Sequence, residues 1–173
     1  AQTAAAAMQL VAHTQAIIFD LRRNGGGSPE MVQFLCSYLF EGEPKHLNSF
    51  RNRVDDSVQQ FWTLPYLPGK RLPHTPVYVL TSQKTGSAAE EFAYNLKHMK
   101  RATIIGETTV GAAHPVDAMA LDNEHVILMP TGAPVNPITG TNWEGTGVEP
   151  HIHVDADHAM EAALADLEAT APA

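Results

Sequence analysis

Apolar residues fall along this chain in short continuous runs and helical stripes, separated by glycine- and proline-rich breaks. The run Ala16-Ile17-Ile18-Phe19-Asp20-Leu21 lacks polar alternation and ends in Asn24-Gly25-Gly26-Gly27. It predicts a strand covered on both faces. Residues 77–81 and 102–105 have the same character, and 88–100 between them read as a helix. The result is a strand–helix–strand unit. Residues 4–13 are alanine-rich and predict a first helix. Ser28-Pro29-Glu30 starts another, with an N-cap and a proline whose missing N–H costs nothing at that position. It runs to about Phe40, and Met31, Phe34, Leu35 and Leu39 form its core stripe.

Residues 41–76 carry Pro44, Pro65, Pro68, Pro73 and Pro76, with a short strand near 47–53. The segment is too long for a plain connection and reads as a cover for a site or a sheet edge. Residues 116–121 and 125–129 predict a hairpin turning at Asp122-Asn123-Glu124. Residues 130–150 are rich in Gly, Pro, Thr and Asn. A last strand spans 151–154, and Asp157 caps a closing helix through about Ala169. Strand–helix alternation followed by a hairpin argues for an α/β domain, three-layered or built from ββα turns.

Composition narrows the picture. A length of 173 residues suits one domain with a full core and is short for two. With 44% apolar and 17% charged residues the chain is a folded domain rather than a disordered one. A net charge of −8, with no stretch clustering Lys and Arg, argues against nucleic acid or an anionic membrane as partner. No apolar run approaches the roughly 18 residues a spanning helix needs. Cys36 is the single cysteine; it excludes an internal disulfide and reads as a buried thiol. The chain opens Ala1-Gln2-Thr3, with neither initiator Met nor basic segment, and reads as a piece of a longer protein lacking its N-terminal region. Apolar surface bared by such a cut would drive homo-oligomer formation.

Ser87 stands between a strand and a helix N-terminus, where free backbone N–H groups and the positive end of the helix dipole converge. Those features stabilise an alkoxide or an acyl oxyanion. The same position is an ordinary N-cap, with Glu90 completing a capping-box pattern, so cap and nucleophile both remain open. The turn Asn24–Gly27 can present N–H groups to an anion. It lacks the lysine and spacing of nucleotide loops, and reads otherwise as a tight turn with Asp20 and Arg22 paired. His151 and His153 alternate on one face of a strand, without further metal ligands beside them. No cofactor and no metal is implied.

Four blocks then add up. They are Asp20-Leu21-Arg22-Arg23-Asn24-Gly25-Gly26-Gly27, Gly86-Ser87-Ala88-Ala89-Glu90, Gly106-Glu107-Thr108-Thr109-Val110-Gly111 and Trp143-Glu144-Gly145-Thr146-Gly147-Val148-Glu149-Pro150. In this order, over residues 16–155, they resemble the S41 family of C-terminal processing (tail-specific) peptidases. The nearest branch holds the interphotoreceptor retinoid-binding protein repeats and the tricorn core protease. The resemblance implies a ClpP/crotonase-like α/β core of ββα units, with helices on a mostly parallel sheet, forming a single catalytic domain over residues 1–173. It implies a serine-type peptidase acting on polypeptides, exported to a periplasm or beyond.

Carried across by position, the resemblance makes Ser87 the nucleophile. Ala88 and Gly26 become the oxyanion donors, with Gly25 beside them, and Glu144 the assisting carboxylate. The lysine base of the tail-specific branch falls on Ala112, which excludes a Ser–Lys dyad. The tricorn-like branch draws its histidine from upstream of the core. His114 is the internal alternative, at a Ser-to-His interval similar to that of the caseinolytic peptidases. The base is therefore His114 or a residue preceding this chain. A degenerate member that binds retinoids or lipids is the competing function, and an α/β interaction module the third. No PDZ-like module is visible, so tail recognition is not carried over.

Overall fold

The computed structural model describes residues 1–170. The chain runs α1 (Gln2–Leu10), β1 (Ile17–Asp20), α2 (Pro29–Ser37), β2 (His46–Asn52), β3 (Val58–Trp62), β4 (Val77–Thr81) and α3 (Ala88–His98). It continues with β5 (Thr103–Gly106), β6 (Val116–Ala120), β7 (Val126–Pro130), β8 (Gly132–Val135), β9 (Ile152–His153) and α4 (Ala159–Thr170).

The central sheet has the order β1-β4-β5-β9, and every pairing in it is parallel. Its strands are apolar on both sides because both sides are covered. Val77, Val79, Ile17 and Ile104 face α2 and α3, packing with Val32, Cys36, Phe92 and Leu96. Tyr78, Leu80 and Ile105 face the other way, onto Ala159 and Ala163 of α4. The result is three layers. Val79, Leu80, Ile104 and Ile105 are wholly removed from water, each contributing roughly 1.5–3 kcal/mol. Tyr78 closes the outer layer by donating its hydroxyl to Asp166 at 2.9 Å.

Element edges differ from the sequence pattern in four places. The first helix starts at Gln2 and ends at Leu10, ahead of the expected 4–13. α2 stops at Ser37, and Tyr38 and Leu39 turn off it while staying fully buried, so the apolar stripe outlasts the helix. The closing helix is entered through a 3-10 turn, Ala156–His158, with Asp155 at its N-cap position; Asp157 lies inside the turn. Residues 41–76 hold two strands instead of one. β2 pairs antiparallel with β3 on one side and β8 on the other, making a second sheet.

β6 and β7 form the expected hairpin, from Val116 opposite Pro130 to Ala120 opposite Val126. All of its residues are exposed. Gly106 shows why the chain leaves β5 as it does. Its φ is +128°, and a Cβ there would lie 2.1 Å from the Thr81 carbonyl oxygen. Only glycine lets the following loop pass this close to β4.

Candidate active site

The C-terminal ends of β1 and β4 and the N-terminus of α3 meet at Ser87. Its backbone sits at φ 53°, ψ −124°, a conformation costing an L-residue on the order of 1–3 kcal/mol unless its surroundings impose it. The surroundings do. Gly86 donates its N–H to the Asn24 carbonyl at 3.1 Å, and Glu91 donates its N–H to the Ser87 carbonyl at 3.0 Å. Glu90 Oε2 accepts the Ser87 N–H at 2.8 Å. Ser87 and Glu90 stand to each other as a capping box, and its carboxylate half is this well-formed hydrogen bond. The N–H of Ala88, first residue of α3, has no hydrogen-bond acceptor among the described residues.

Gly26 lies directly against the serine. At φ +121° a Cβ would come 2.7 Å from Ser87 Cβ and 3.1 Å from Ser87 Oγ. The glycine turn is pinned from three sides. Thr85 donates its hydroxyl to the Leu21 carbonyl at 2.8 Å, and Ser82 donates its own to the Arg22 carbonyl at 2.6 Å. Arg22 Nη2 meets Asp20 Oδ2 at 2.6 Å, and its Nη1 donates to the Ala156 carbonyl. The Arg22 guanidinium holds the Asp20 carboxyl below its usual range. Gly26 N–H donates to Asn24 Oδ1 at 2.9 Å, so it must leave that oxygen before it can serve a substrate.

Glu90 does far more than cap. Fully buried, it accepts from Ser87 N–H, from the Thr109 hydroxyl at 2.5 Å, from Gly111 N–H at 2.6 Å and from Ala112 N–H at 2.9 Å. One oxygen, Oε2, therefore receives both the Ser87 N–H and that of Ala112. This strap brings the 109–114 loop to Ser87. The sequence block ending in Glu90 contains the residue, but its pairing with a loop some twenty positions away has no local signal.

Two residues beyond Ala112, the strap delivers His114. Glu144 Oε2 accepts the N–H groups of Ala113 at 2.7 Å and His114 at 3.0 Å. The His114 ring Nδ1 lies 3.8 Å from the same oxygen. Partial burial raises the Glu144 carboxyl, but the two N–H donors and the nearby imidazole outweigh it, and the net shift is downward. His114 and Ser87 are not hydrogen-bonded to each other among the described residues. General-base contacts are often long before substrate arrives.

Beside Gly26 and Ala88 lies a recess of about 100 Å³, walled by Phe19, Met31, Leu35 and Phe92. Met31 and Leu35, expected only in the core, thus form its floor with Phe19 and Phe92, whose rings meet edge-on at 4.9 Å. His151 stands apart from this site. Its Nδ1 accepts the Ile104 N–H at 2.9 Å, while His153 Nε2 lies 3.5 Å from Glu149, so the two rings are committed separately. No helix among the described residues is long and apolar enough to cross a membrane.

Known proteins are similar to this chain in sequence and in fold. The sequence model of peptidase family S41 matches residues 1–154. The carboxy-terminal-processing protease of Bartonella bacilliformis is 29% identical over 139 residues, 80% of this chain and 30% of that protein. The chain thus spans less than a third of this curated relative. Among solved structures, an S41 protease from Bacteroides fragilis is similar with a TM-score of 0.81 at 22% identity, covering 99% of this chain and 50% of that one. The photosystem II D1 C-terminal processing protease gives 0.71 at 22%, over 90% of this chain and 39% of that one. At such identities the structural likeness establishes the fold, a mixed α/β domain on a mostly parallel sheet.

Proposed function

Because the chain belongs to peptidase family S41, we propose that it hydrolyses polypeptides with Ser87 as nucleophile. The observation that carries this reading is the strained Ser87 backbone, with an unengaged Ala88 N–H on one side and Gly26 against its hydroxyl on the other.

In the proposed reaction Ser87 Oγ attacks the scissile carbonyl carbon, and His114 takes the hydroxyl proton. Glu144 stands on the Nδ1 side of the ring, which leaves Nε2 for the serine. The carbonyl oxygen, now an oxyanion, is held by the N–H of Ala88 and by the glycine turn, through Gly26 once Asn24 releases it or through Gly25. The C–N bond breaks as His114 returns the proton to the leaving amine. Water then attacks the acyl-serine by the same route and frees the acid.

The recess takes an apolar side chain of the substrate next to the scissile bond. Its volume of about 100 Å³ falls well below the roughly 300–1,000 Å³ of pockets that hold drug-sized ligands, too small for a retinoid to sit beside Ser87.

A fluorophosphonate probe tests the reading. Wild type is expected to label at Ser87, Ser87→Ala not at all, and His114→Ala at least roughly 100-fold more slowly. Wild type that never labels overturns the peptidase proposal. Labelling of His114→Ala at the wild-type rate removes His114 as the base while leaving Ser87 in place.

A further inference from the structure

At the opposite end of α3 from Ser87, under the N-terminal ends of β4 and β5, the structure opens a recess of about 590 Å³. Three of the chain's eleven Lys and Arg side chains, Lys97, Lys100 and Arg101, line it, in a protein of net charge −8. We propose that this recess binds a phosphate-type oxyanion, free or as a phosphate ester. The proposal is independent of the peptidase reading.

The donor inventory supports it. His151 Nδ1 accepts the Ile104 N–H, so the neutral ring carries its proton on Nε2 and is a donor there. Arg101 spends Nε and Nη2 on the carbonyls of Leu39, Leu72 and Thr75, which fixes its guanidinium in place and leaves Nη1 over. Lys97 gives one of its three hydrogens to the Glu149 carbonyl, at 2.5 Å. Lys100 has no side-chain partner among the described residues. Against these donors the wall offers one carboxylate, Asp166, already engaged by the Tyr78 hydroxyl.

A local explanation exists for cations at a helix C-terminus, where they offset the dipole. That dipole end amounts to roughly half a negative charge, against three full cations here. The Lys97 charge is felt by the neighbouring rings. Burial and then Lys97 lower the pKa of His151, and the same two causes, with His151 added, lower that of His98. Glu149 pairs with His153, and His74 of the wall lies 3.2 Å from Glu41. Neither supplies a counter-anion to Lys100.

The test is a titration of the wild-type chain with inorganic phosphate at fixed ionic strength, following the His98 and His151 ring resonances. Saturable binding in the millimolar range or tighter is expected, with both histidine pKa values rising in the bound state. Lys100→Gln, an exposed change that spares the fold, should weaken phosphate binding roughly tenfold, the loss of about 1.4 kcal/mol. A sugar phosphate binding more tightly than inorganic phosphate would identify an ester as the ligand. The reverse order would identify the free anion. Linear, non-saturating shifts reproduced by sodium chloride would overturn the site. So would saturable binding that Lys100→Gln and Lys97→Gln both leave unchanged.

Discussion

Glu90 and Glu91 are neighbours in the first turn of α3 and both are shut away from water, but they meet opposite surroundings. A helix turns about 100° per residue, so one faces the 109–112 loop and the other faces β2. Glu90 receives four donated hydrogens, three of them from backbone N–H groups. Glu91 looks onto the side-chain amides of Asn48 and Asn95, whose Nδ2 atoms complete no hydrogen bond among the described residues. Burial pushes its carboxyl up to about 7, with the amides pulling the other way and Glu30 adding to the rise. The lesson is that burial alone does not set the fate of a carboxyl group. The supply of donors does: one glutamate becomes a strap, and the other a proton-holding acid on the helix that Ser87 opens.

Replacing Glu90 is the harshest way to break that contrast. Glu90→Gln turns an NH₂ toward a pair of donors, and the loss is expected to be on the order of 3 kcal/mol in a urea titration. Fluorophosphonate labelling should disappear with it, even where the variant is folded, because the 109–114 loop loses its hold on Ser87. Normal labelling and stability would reduce Glu90 to a cap.

Glu91→Gln is expected to act the other way. With a folded pKa near 7 against 4.5 in the unfolded chain, the proton Glu91 keeps stabilises the fold fully below pH 4.5. That contribution is lost as pH rises to about 7, by on the order of 3 kcal/mol for a shift of this size. The variant should lack this slope and exceed wild type in stability at pH 8. Parallel pH profiles for the two proteins would refute it.

Glu144 is the intermediate case, half exposed with two N–H donors. Glu144→Gln should slow labelling roughly tenfold, less than the 10²–10⁴ of a general base, and leave the melting temperature nearly unchanged. The carboxyl's depressed pKa means its contribution is present above its ordinary range and fades as pH falls below it, so the slowing should vanish in acid. Smallest is Asn48→Ala. It removes a group that lowers the Glu91 pKa, and should move the pH midpoint of stability upward.

The parts of the fold that were legible in the sequence are those with a physical signature of their own. Strands buried on both faces show as unbroken apolar runs, which located β1, β4 and β5. The β6–β7 hairpin showed through its turn and two apolar arms. β3 reads Val58-Gln59-Gln60-Phe61-Trp62 and is mostly exposed, and β8 carries Pro134; both are edge strands of the second sheet, where the apolar signal is weakest. At the site, Ser87 and the glycine turn were legible as blocks. The strap was not, since four donors converging on one carboxylate is a tertiary fact. The basic recess was not read either: Lys97, Lys100 and Arg101 fall within five positions at and just past the end of α3, but their meeting with His151 is tertiary.

The backbone at Ser87 carries one more consequence. A φ of 53° with ψ −124° is territory in which glycine is at ease and serine is not. Ser87→Gly would therefore relieve strain in the same stroke that removes the hydroxyl. If Ser87 is the nucleophile proposed above, heat resistance and reactivity pull this single position in opposite directions. A population of variants screened only for survival at high temperature would lose its serine here early, and the fold would be the better for it.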